Sequence, residues 1–393
     1  MELVRLDNRL RQLAERADKR KSAVKKTGLS TELQSFLSSL PCPRTLQDCV
    51  PQDLLLFLAA KDESGKGRTQ IHDVECSFLG QPNIHGCGCP CRFSAESVKH
   101  IISDIKTILT QVGRGTFWDM STCSGNPACS TEVLNYLVAI RDEQAESHVV
   151  VKQARPMTLE KIAALVSFLS RELDSNLLNP KDTYLFLRDR AFFLIQFLLG
   201  ERGGDLSKLL LQEVFNCPDN SGIIVRQTFG KTRVERHCVL LRSPDSNLCP
   251  VAALHSFVQK SRSLGLDMST GYVFRKTLHT GNVANAPFTQ SAATNRLRLY
   301  LLTIGRYQGE TTHSLRSGCA VAMQSTDQSP AAVAAHIGWQ SRTCWEHYSR
   351  ANSFQSSSVA ESVLSMLGNA TSRQRADDNY KKFSTTDLTR FFP

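Results

Sequence analysis

The sequence lacks long hydrophobic runs, and its cysteines do not have the close, regular spacing of a disulfide scaffold. No stretch of about 18 consecutive apolar residues occurs, and the first ten residues, MELVRLDNRL, lack the apolar core of a signal peptide. The thirteen cysteines are spread from Cys42 to Cys344. We therefore expect a soluble intracellular protein whose cysteines are core residues or metal ligands.

Acidic residues are outnumbered by basic ones. The chain has 37 Asp and Glu against 47 Lys and Arg, a formal net charge of +10. This excess favours a polyanionic partner, because each cation placed against a phosphate releases counterions. The run DKRKSAVKK, residues 18–26, concentrates part of the charge. It fits a DNA-contacting arm, a nuclear-localisation signal or the solvated face of a helix.

The length predicts more than one domain. A chain of 393 residues exceeds one ordinary core, and its 22 glycines and 14 prolines are not an enrichment, so most of it should fold. The predicted segments are a basic arm over 1–28, a first domain over 29–150 with an insertion at about 68–93, a linker over 151–157, a second domain over 158–350, and a C-terminal helix and tail over 351–393.

Apolar residues recur at helical spacing in the first half. Two such patterns between Leu29 and Leu58 are separated by LPCPRT, whose prolines force a connection. The segments SAESVKHIISDIKTILTQVG and STEVLNYLVAIRDEQA repeat apolar residues at steps of three, four and seven, which predicts a small helical domain. The side chains predicted to face its core are Val98, Ile101, Ile102, Ile105, Ile108, Leu109, Val112, Val133, Leu134, Leu137 and Ile140.

A cluster of possible metal ligands lies between these helices, in IHDVECSFLGQPNIHGCGCPCRF. A tetrahedral zinc site needs four imidazole or thiolate ligands, and pairs at short spacing let one turn supply two of them. We predict His72, Cys76, Cys87 and Cys89 as the ligands, with Cys91 as the alternative to Cys89. Four protein ligands close the coordination shell, so the Zn²⁺ ion would be structural rather than catalytic.

The same region resembles the ALOG domain of plant developmental DNA-binding proteins. The resemblance is carried by the His-x3-Cys pair, FLGQP, CGCP, GNP and YLVAIRDEQA, and it covers about Leu29 to Pro156. It implies a helical DNA-binding domain with an inserted zinc ribbon, of a kind thought to derive from recombinases of eukaryotic mobile elements.

Two further helices are predicted after the linker. TLEKIAALVSFLSREL is amphipathic, with Leu159, Ile162, Leu165, Val166 and Leu169 on its inward face. LFLRDRAFFLIQFLLG is apolar nearly all round and should be buried.

Two basic residues follow in positions suited to a cleft. Arg202 lies at the end of the buried helix, flanked by glycines in GERGGDL, where it can project into a cleft. The segment GIIVRQTFGKTRVERHCVLL alternates β-branched and polar residues on both sides of FGKT, which predicts a β-hairpin with Lys231 at its turn.

Four more residues complete an ordered set. His313 and Arg316, in HSLR, are three residues apart and share a helix face. Trp339 lies 23 residues beyond Arg316, and Tyr348 follows nine residues later in IGWQSRTCWEHY. The order Arg, Lys, His-x-x-Arg, Trp, Tyr resembles that of the tyrosine recombinases of the phage-integrase or Cre-like type.

This resemblance implies cleavage of a phosphodiester without metal or ATP. Tyr348 would attack the scissile phosphate and give a 3′-phosphotyrosine with a free 5′-hydroxyl. Arg202 and Arg316 would hold the non-bridging oxygens. Lys231 would be the general acid toward the 5′-oxygen, and His313 would take the tyrosine proton or hold the phosphate.

The sequence departs from the family pattern at two places. Trp339 stands where the family more often has His, and because an indole N–H can only donate, it would be a hydrogen-bond donor to the phosphate and not a base. Asp205 replaces a longer acidic residue and should buttress Arg202 with a shorter arm. Beyond the tyrosine, SSVAESVLSMLGN predicts a short helix that docks either on a neighbouring protomer or on its own domain.

The predicted fold is mostly α, with an N-terminal helical DNA-binding domain carrying a zinc ribbon and a C-terminal α+β catalytic domain with a small β-sheet. The leading hypothesis for function is a nuclear site-specific recombinase or integrase of a mobile element, similar to those of Crypton or DIRS-type elements. Its partners would be double-stranded DNA and copies of itself, a dimer on each site and a tetramer in the synapse, with no membrane. The alternatives are a domesticated ALOG-like DNA-binding regulator and a type IB topoisomerase-like enzyme.

Overall fold

The computed structural model describes residues 11–12, 21–81, 85–149, 155–175, 177–228, 235–324, 329–339 and 341. The chain divides into two compact units, residues 1–152 and 153–393. Both are built mainly from helices with small antiparallel sheets, so the predicted fold class is confirmed. Among the described residues, no helix combines the length and the apolar character needed to cross a bilayer. Three predictions lie outside the described residues: those for Lys231, for Tyr348 and for the C-terminal segment 351–393.

The first unit is organised around its helices. They are α1 (Lys21–Ser38), α2 (Pro51–Glu63), α3 (Ala95–Gln111) and α4 (Thr131–Glu146). The side chain of Ser94 accepts a hydrogen bond from the backbone N–H of Ser97 and so caps α3, and Ser130 caps α4 in the same way through Val133. The helix starts read from the sequence therefore coincide with caps.

The core of the first unit is formed by the predicted apolar faces, with one exception. Val98, Ile102, Ile105 and other apolar side chains of α1 to α4 are buried in one cluster. Leu134, predicted to face inward, is 51% exposed, so that prediction is wrong. It follows Val133, which is 1% exposed, but lies about 100° further round α4, on the same side as Val138, which is 49% exposed.

Two short antiparallel strand pairs lie between these helices in the chain. Strand β1 (Thr69–Gln70) pairs with β2 (Cys91–Arg92), and β3 (Trp118–Asp119) pairs with β4 (Ser124–Gly125), both antiparallel. The β1–β2 pair closes the segment that contains the candidate metal ligands, because its two strands flank them in the chain.

The second unit also consists of helices around one core. They are α5 (Leu159–Asp174), α6 (Pro180–Leu199), α7 (Gly203–Leu206), α8 (Pro250–Ser263), α9 (Gln290–Thr303), α10 (Thr312–Gln324) and α11 (Pro330–Ile337). Helix α6 packs against α5, α8 and α10 and is buried along most of its length, as its continuous apolar sequence predicts. Leu159, predicted to face inward, is 62% exposed, so that prediction is wrong. As the first residue of α5 it projects past the end of the packed face.

A three-stranded antiparallel sheet lies beside these helices. Strand β5 (Val214–Asn216) pairs with β6 (Gly222–Gln227), which pairs with β7 (Arg236–Leu241). A separate hairpin joins β8 (Arg275–Thr277) and β9 (Val283–Pro287). The β6–β7 pair confirms the predicted hairpin around FGKT, whose turn lies outside the described residues.

A buried carboxylate in the second unit is paired with arginines. Asp189, on α6, has no exposed surface and accepts hydrogen bonds from Arg188, Arg296 and the hydroxyl of Tyr300. Burial and the neighbouring Asp189 carboxylate raise the pKa of Tyr300 far above its usual range, so its hydroxyl stays protonated and can donate. A charge of this kind is tolerated in a core only because several donors meet it.

One close backbone approach fixes the start of the second unit. The N–H of Met157 donates to the carbonyl of Ser314 at 2.8 Å, and the chain there passes directly over Gly318 of α10. A Cβ at Gly318 would lie 1.9 Å from the carbonyl oxygen of Met157. Only glycine therefore fits at this helix position.

Replacing Gly318 with alanine should destabilise the protein. The new Cβ meets a backbone oxygen that cannot rotate away, so we expect Gly318→Ala to lower the free energy of unfolding by about 1–3 kcal/mol. Gly28→Ala is the matched control, because Gly28 is an exposed residue of α1 where an added Cβ would have no atom within 4 Å among the described residues. This control should stabilise by about 0.5–1 kcal/mol. Urea unfolding followed by circular dichroism measures both, and a shift of the same sign in the two variants would contradict the close approach.

Candidate functional site

The first candidate site is a group of metal-binding side chains in the unit 1–152. The donor atoms of His72, Cys76, Cys87 and Cys89 all lie within 4.8 Å of one another. The Nδ1 atom of His72 is 3.4 Å from Sγ of Cys76 and 3.5 Å from Sγ of Cys87. A tetrahedral zinc ion with bonds of about 2.0–2.1 Å to nitrogen and about 2.3 Å to sulfur places these atoms about 3.6 Å apart. The cluster could therefore hold a metal ion.

The cluster has the composition that the sequence predicts. Of the two alternatives for the fourth position, Cys89 lies in the cluster, and Cys91 lies on β2, where it pairs with Gln70 of β1. His85, also close in sequence, stacks on Phe78 with ring centroids 4.3 Å apart, so it packs beside the cluster.

One buried amide holds the turn that carries two of these thiols. The Nε2 of Gln70 lies within 3.4 Å of the carbonyls of His85, Cys87 and Cys89 and 3.2 Å from Sγ of Cys87, and the Oε1 accepts from the N–H of His85. Gln70 is only 7% exposed. An N–H directed at a ligating sulfur orients the ligand and stabilises its thiolate form, as outer partners of metal sites do.

The second candidate site lies in the unit 153–393 and begins at Arg202. This residue is the N-cap of α7, directly after the buried helix α6, and its side chain is 31% exposed. One of its guanidinium nitrogens lies 3.5 Å from the carboxylate of Asp205, in line with the predicted buttress. Its backbone N–H donates to Glu201 at 2.9 Å. Glu201 therefore fixes the backbone of Arg202, and Asp205 contacts its guanidinium group.

Arg316 lies on α10 and is 1% exposed. Its Nη1 donates to the carbonyl of Gly200 at 2.6 Å and to the carbonyl of Ile337 at 3.2 Å. Its guanidinium carbon is 5.4 Å from the ring centroid of Trp339. A single side chain therefore ties the turn that precedes Arg202 to the turn that precedes Trp339.

His313 lies one helical turn before Arg316 and is half-buried. The start of its helix is bound to the Arg202 turn by Gln196, whose Nε2 donates to the carbonyl of Glu201 at 3.1 Å and to that of Thr312 at 2.8 Å. Contacts of this kind bring the elements that carry Arg202, His313 and Arg316 together, as the sequence predicts for a common site.

Trp339 follows the C-terminal end of α11 and is 8% exposed. Its backbone N–H donates to the carbonyl of Ala334 at 2.8 Å, after a left-handed turn at Gly338. His336 donates from its ring to the carbonyl of Leu198 at 2.9 Å, so it contacts the backbone of α6. Ile337 is buried between these turns.

Two cysteine thiols are buried beside the second candidate site. Burial raises the pKa of Cys319 to about 12 and also raises the pKa of Cys238. Both are therefore neutral packing residues, because the thiolate is the nucleophilic form of cysteine.

The structure adds two polar residues that sequence reasoning missed, Gln70 and Arg236. Gln70 carries no local signal, because its partners lie 15 to 19 residues away. Arg236 does carry one: it is in phase with Cys238 and Leu240, the buried positions of β7. A charged residue on the inward phase of a strand indicates a buried ion pair.

The second candidate site collects cationic and hydrogen-bonding side chains, which are the groups that an anion site requires. It combines two guanidinium groups, an imidazole and an indole on adjacent elements, and one of the guanidinium groups is fixed in a buried position. Buried, oriented positive charge of this kind stabilises negative charge more than charge in water does, because little reorganisation is needed.

Removing a ligand from the metal cluster should release the metal. We expect the full chain purified with zinc to contain one equivalent, and Cys87→Ser and Cys89→Ser to lose most of it, since a tetrahedral site with three protein ligands binds more weakly. Cys91→Ser is the matched control and should retain the metal. Metal content is measured by atomic emission. Loss of zinc in Cys91→Ser with retention in Cys89→Ser would assign the fourth position to Cys91 instead.

Gln70→Ala should weaken the metal site without removing a ligand. Loss of outer-shell partners lowers metal affinity about 10- to 100-fold, and competition with a chromogenic chelator would measure the change. Gln81→Ala is the control, because Gln81 is an exposed residue of the same segment whose side-chain amide donates to the carbonyl of Ser77. An unchanged affinity in Gln70→Ala would show that the Gln70 amide is dispensable.

A family model matches part of the first unit. Residues 14–142 match the family model of the ALOG domain. The match begins before Leu29, where the sequence motifs begin, and it covers the metal cluster.

Curated relatives match over the same part of the chain. Protein G1-like7 of Oryza sativa subsp. indica is 31% identical over 129 residues, which are 33% of this chain and 56% of that protein. LIGHT-DEPENDENT SHORT HYPOCOTYLS 5 of Arabidopsis thaliana is 29% identical over 144 residues, 35% of this chain and 74% of that protein. The chain thus spans little more than half the length of the rice relative.

Solved structures overlap with more of the chain at lower identity. A lambda integrase dimer bound to a COC′ core site is 16% identical, with coverage of 88% of this chain and 76% of that one and a TM-score of 0.49. The Tn1549 transposon integrase in complex with circular intermediate DNA is 12% identical, with coverage of 86% and 92% and a TM-score of 0.47. Both overlaps fall below a TM-score of 0.5, so the function of the second unit has to be argued from its side chains. Over residues 14–142, the predicted resemblance to the ALOG domain is confirmed.

Proposed function

We propose that this protein is a tyrosine recombinase that cleaves and rejoins DNA for a mobile element, with the ALOG-like region contributing to DNA binding. The observation that carries the proposal is the fixed contact of Arg316 with the Arg202 turn and with Trp339. Arg316, Trp339 and the turn that precedes Arg202, which are far apart in sequence, thereby contact one another at a single guanidinium. A protein that only bound DNA would have no chemical need for that arrangement.

In this proposal the arginines stabilise charge on the phosphorus. As the nucleophile adds, negative charge increases on the non-bridging oxygens, and rigid, bidentate donors favour that state. Trp339 adds a donor that cannot accept a proton, which keeps it out of acid–base chemistry. In other enzymes, removing one such donor raises the activation free energy by about 3–4 kcal/mol.

The bond changes balance without a cofactor. The phenolic oxygen of Tyr348 forms a bond to phosphorus, and the bond from phosphorus to the 5′-oxygen breaks. The phenolic proton goes to His313, and Lys231 gives a proton to the leaving 5′-oxygen. The phosphotyrosine ester keeps the energy of the broken bond, so religation to a second 5′-hydroxyl needs neither ATP nor metal.

A zinc ion, in this proposal, has a structural role in the first unit. His72, Cys76, Cys87 and Cys89 would hold it, and the two thiols of one turn would be fixed relative to the β1–β2 pair. Zinc supplies a cross-link that a short, loop-rich segment cannot obtain from a core of its own. Its chemistry is separate from strand cleavage.

The proposed partner is double-stranded DNA at element ends and target sites, inside the nucleus. The net charge of +10 supports a polyanionic partner. Strand exchange joins four ends, so the reaction implies a dimer on each site and a tetramer in the synapse. A second candidate, a DNA-binding regulator without catalysis, is supported by the ALOG match over residues 14–142.

Covalent capture of DNA separates these functions. The substrate is a labelled pool of randomised duplexes, each with a nick near its centre so that the cleaved fragment diffuses away. We expect the wild-type chain to give a 3′-linked protein–DNA adduct, and Tyr348→Phe to give none, because the phenylalanine ring has no nucleophilic oxygen. Denaturing gels measure the adduct.

Tyr307→Phe is the matched control and should form the adduct at the wild-type level, because Tyr307 is not one of the residues of the ordered set. No adduct in wild type, with DNA binding intact, would contradict the enzyme and favour the regulator. Adduct and relaxation of supercoiled DNA without recombinant joints would favour a type IB topoisomerase.

A further inference from the structure

Arg236 makes three buried hydrogen-bonding contacts at the base of the β6–β7 hairpin. Its Nη1 donates to the carbonyl of His336 at 2.8 Å, and its Nη2 donates to Gln227 at 2.8 Å and to the carboxylate of Glu201. The side chain is 13% exposed and that of Glu201 is 6% exposed. A buried ion pair with this many directed contacts fixes the position of each group that it touches.

The Glu201 end of this pair leads to Arg202. One carboxylate oxygen of Glu201 accepts from Arg236, and the other accepts from the backbone N–H of Arg202 at 2.9 Å. The carbonyl of Glu201 is held independently by Gln196. The backbone from which the Arg202 side chain projects therefore depends on Arg236.

The His336 end leads to Trp339. The carbonyl of His336 lies at the end of α11, three residues before Trp339. Between them is Gly338, whose φ of +76° is left-handed and whose Cβ position would be 2.8 Å from Nη1 of Arg236. The guanidinium lies directly against this turn, so the turn cannot move without it.

Arg236 and Arg316 form a double bridge between the same two turns. Arg316 joins the carbonyls of Gly200 and Ile337, and Arg236 joins the next residue of the first turn, Glu201, to the preceding residue of the second, His336. With one arginine alone, the two turns could still rotate relative to each other about its guanidinium group. Two bridges at adjacent residues remove that rotation.

We propose that Arg236 is a positioning residue, which aligns Arg202 with Trp339 through Glu201 and the carbonyl of His336. This inference rests on the proposed function, because alignment matters only if both side chains act on one phosphate. A displacement of about 1 Å at a reacting centre can cost about 100-fold in rate. The residue acts through its neighbours and needs no contact with DNA.

The test is a double-mutant cycle on the rate of covalent adduct formation in the full chain, measured at a single turnover on the nicked pool. Arg236→Met should lower the rate about 10- to 100-fold while the affinity for uncleaved DNA changes less than about twofold. In an Arg202→Ala background the same substitution should have an effect of less than about threefold, because the group that it positions is gone. Arg236→Lys keeps the charge but cannot reach three acceptors, so it should not restore the rate.

Arg242→Met is the matched control, because Arg242 follows the same strand, is exposed, and contacts only the carbonyl of Asn220 through its side chain among the described hydrogen bonds. It should leave the rate unchanged. Full activity in Arg236→Met, or an equal loss with and without Arg202, would overturn the inference. If Arg236→Met does not fold, the test rests on Arg236→Lys. Wild-type activity in a folded Arg236→Lys would overturn the inference. A lower rate of adduct formation with unchanged affinity for DNA would support it. Absence of adduct in wild type would instead refute the proposed function.

Discussion

The guanidinium group in a dry environment is the constraint on which the second unit depends. Arginine stays charged and carries five N–H donors, so burying it requires acceptors already arranged around it. Around Arg316 and Arg236, the backbone carbonyls of Gly200, His336 and Ile337 at two helix ends are acceptors, and Glu201 adds its side-chain carboxylate. Helix C-termini are rich in carbonyls without intrahelical partners, which makes them natural sites for such cations. The geometry of the candidate catalytic groups follows from this pairing.

The helices and their boundaries could be read from the sequence because the information is local. Serine caps, proline interruptions and apolar spacing lie within a few residues of the features they determine, and α3 and α4 begin directly after the serines that cap them. The apolar segment predicts a start of α6 at Leu185, whereas the helix begins five residues earlier, at Pro180. The two inward residues predicted wrongly, Leu134 and Leu159, both lie in first turns. Apolar spacing assigns a residue to a face, but burial depends on whether a neighbouring element covers that part of the helix, and the spacing does not contain that information.

The candidate sites divide in the same way. Four candidate metal ligands within 18 residues, and a His-x-x-Arg pair within one helical turn, are recognisable because their close spacing favours contact between their side chains. The contacts of Arg236 with Glu201 and His336 span 35 and 100 residues, and they form only once sheet and helices have packed. The alternation of buried and exposed residues along β7 places Arg236 on the inward side of the strand, but the neighbouring sequence does not identify its partners. Supporting residues of this kind become visible only in the folded chain.

The docking of Met157 beneath α10 also bears on the order in which the protein is made. All residues of the first unit have been synthesised by residue 152, so it can fold while the rest of the chain is still being translated. The second unit cannot close in that way, because its opening residues bind Ser314, more than 150 positions later. Until α8 and then α10 emerge from the ribosome, the apolar surface of α6 lacks these two partners and is a surface for chaperones to protect. The unit that bears the proposed chemistry therefore remains incomplete for longer during synthesis than the first unit.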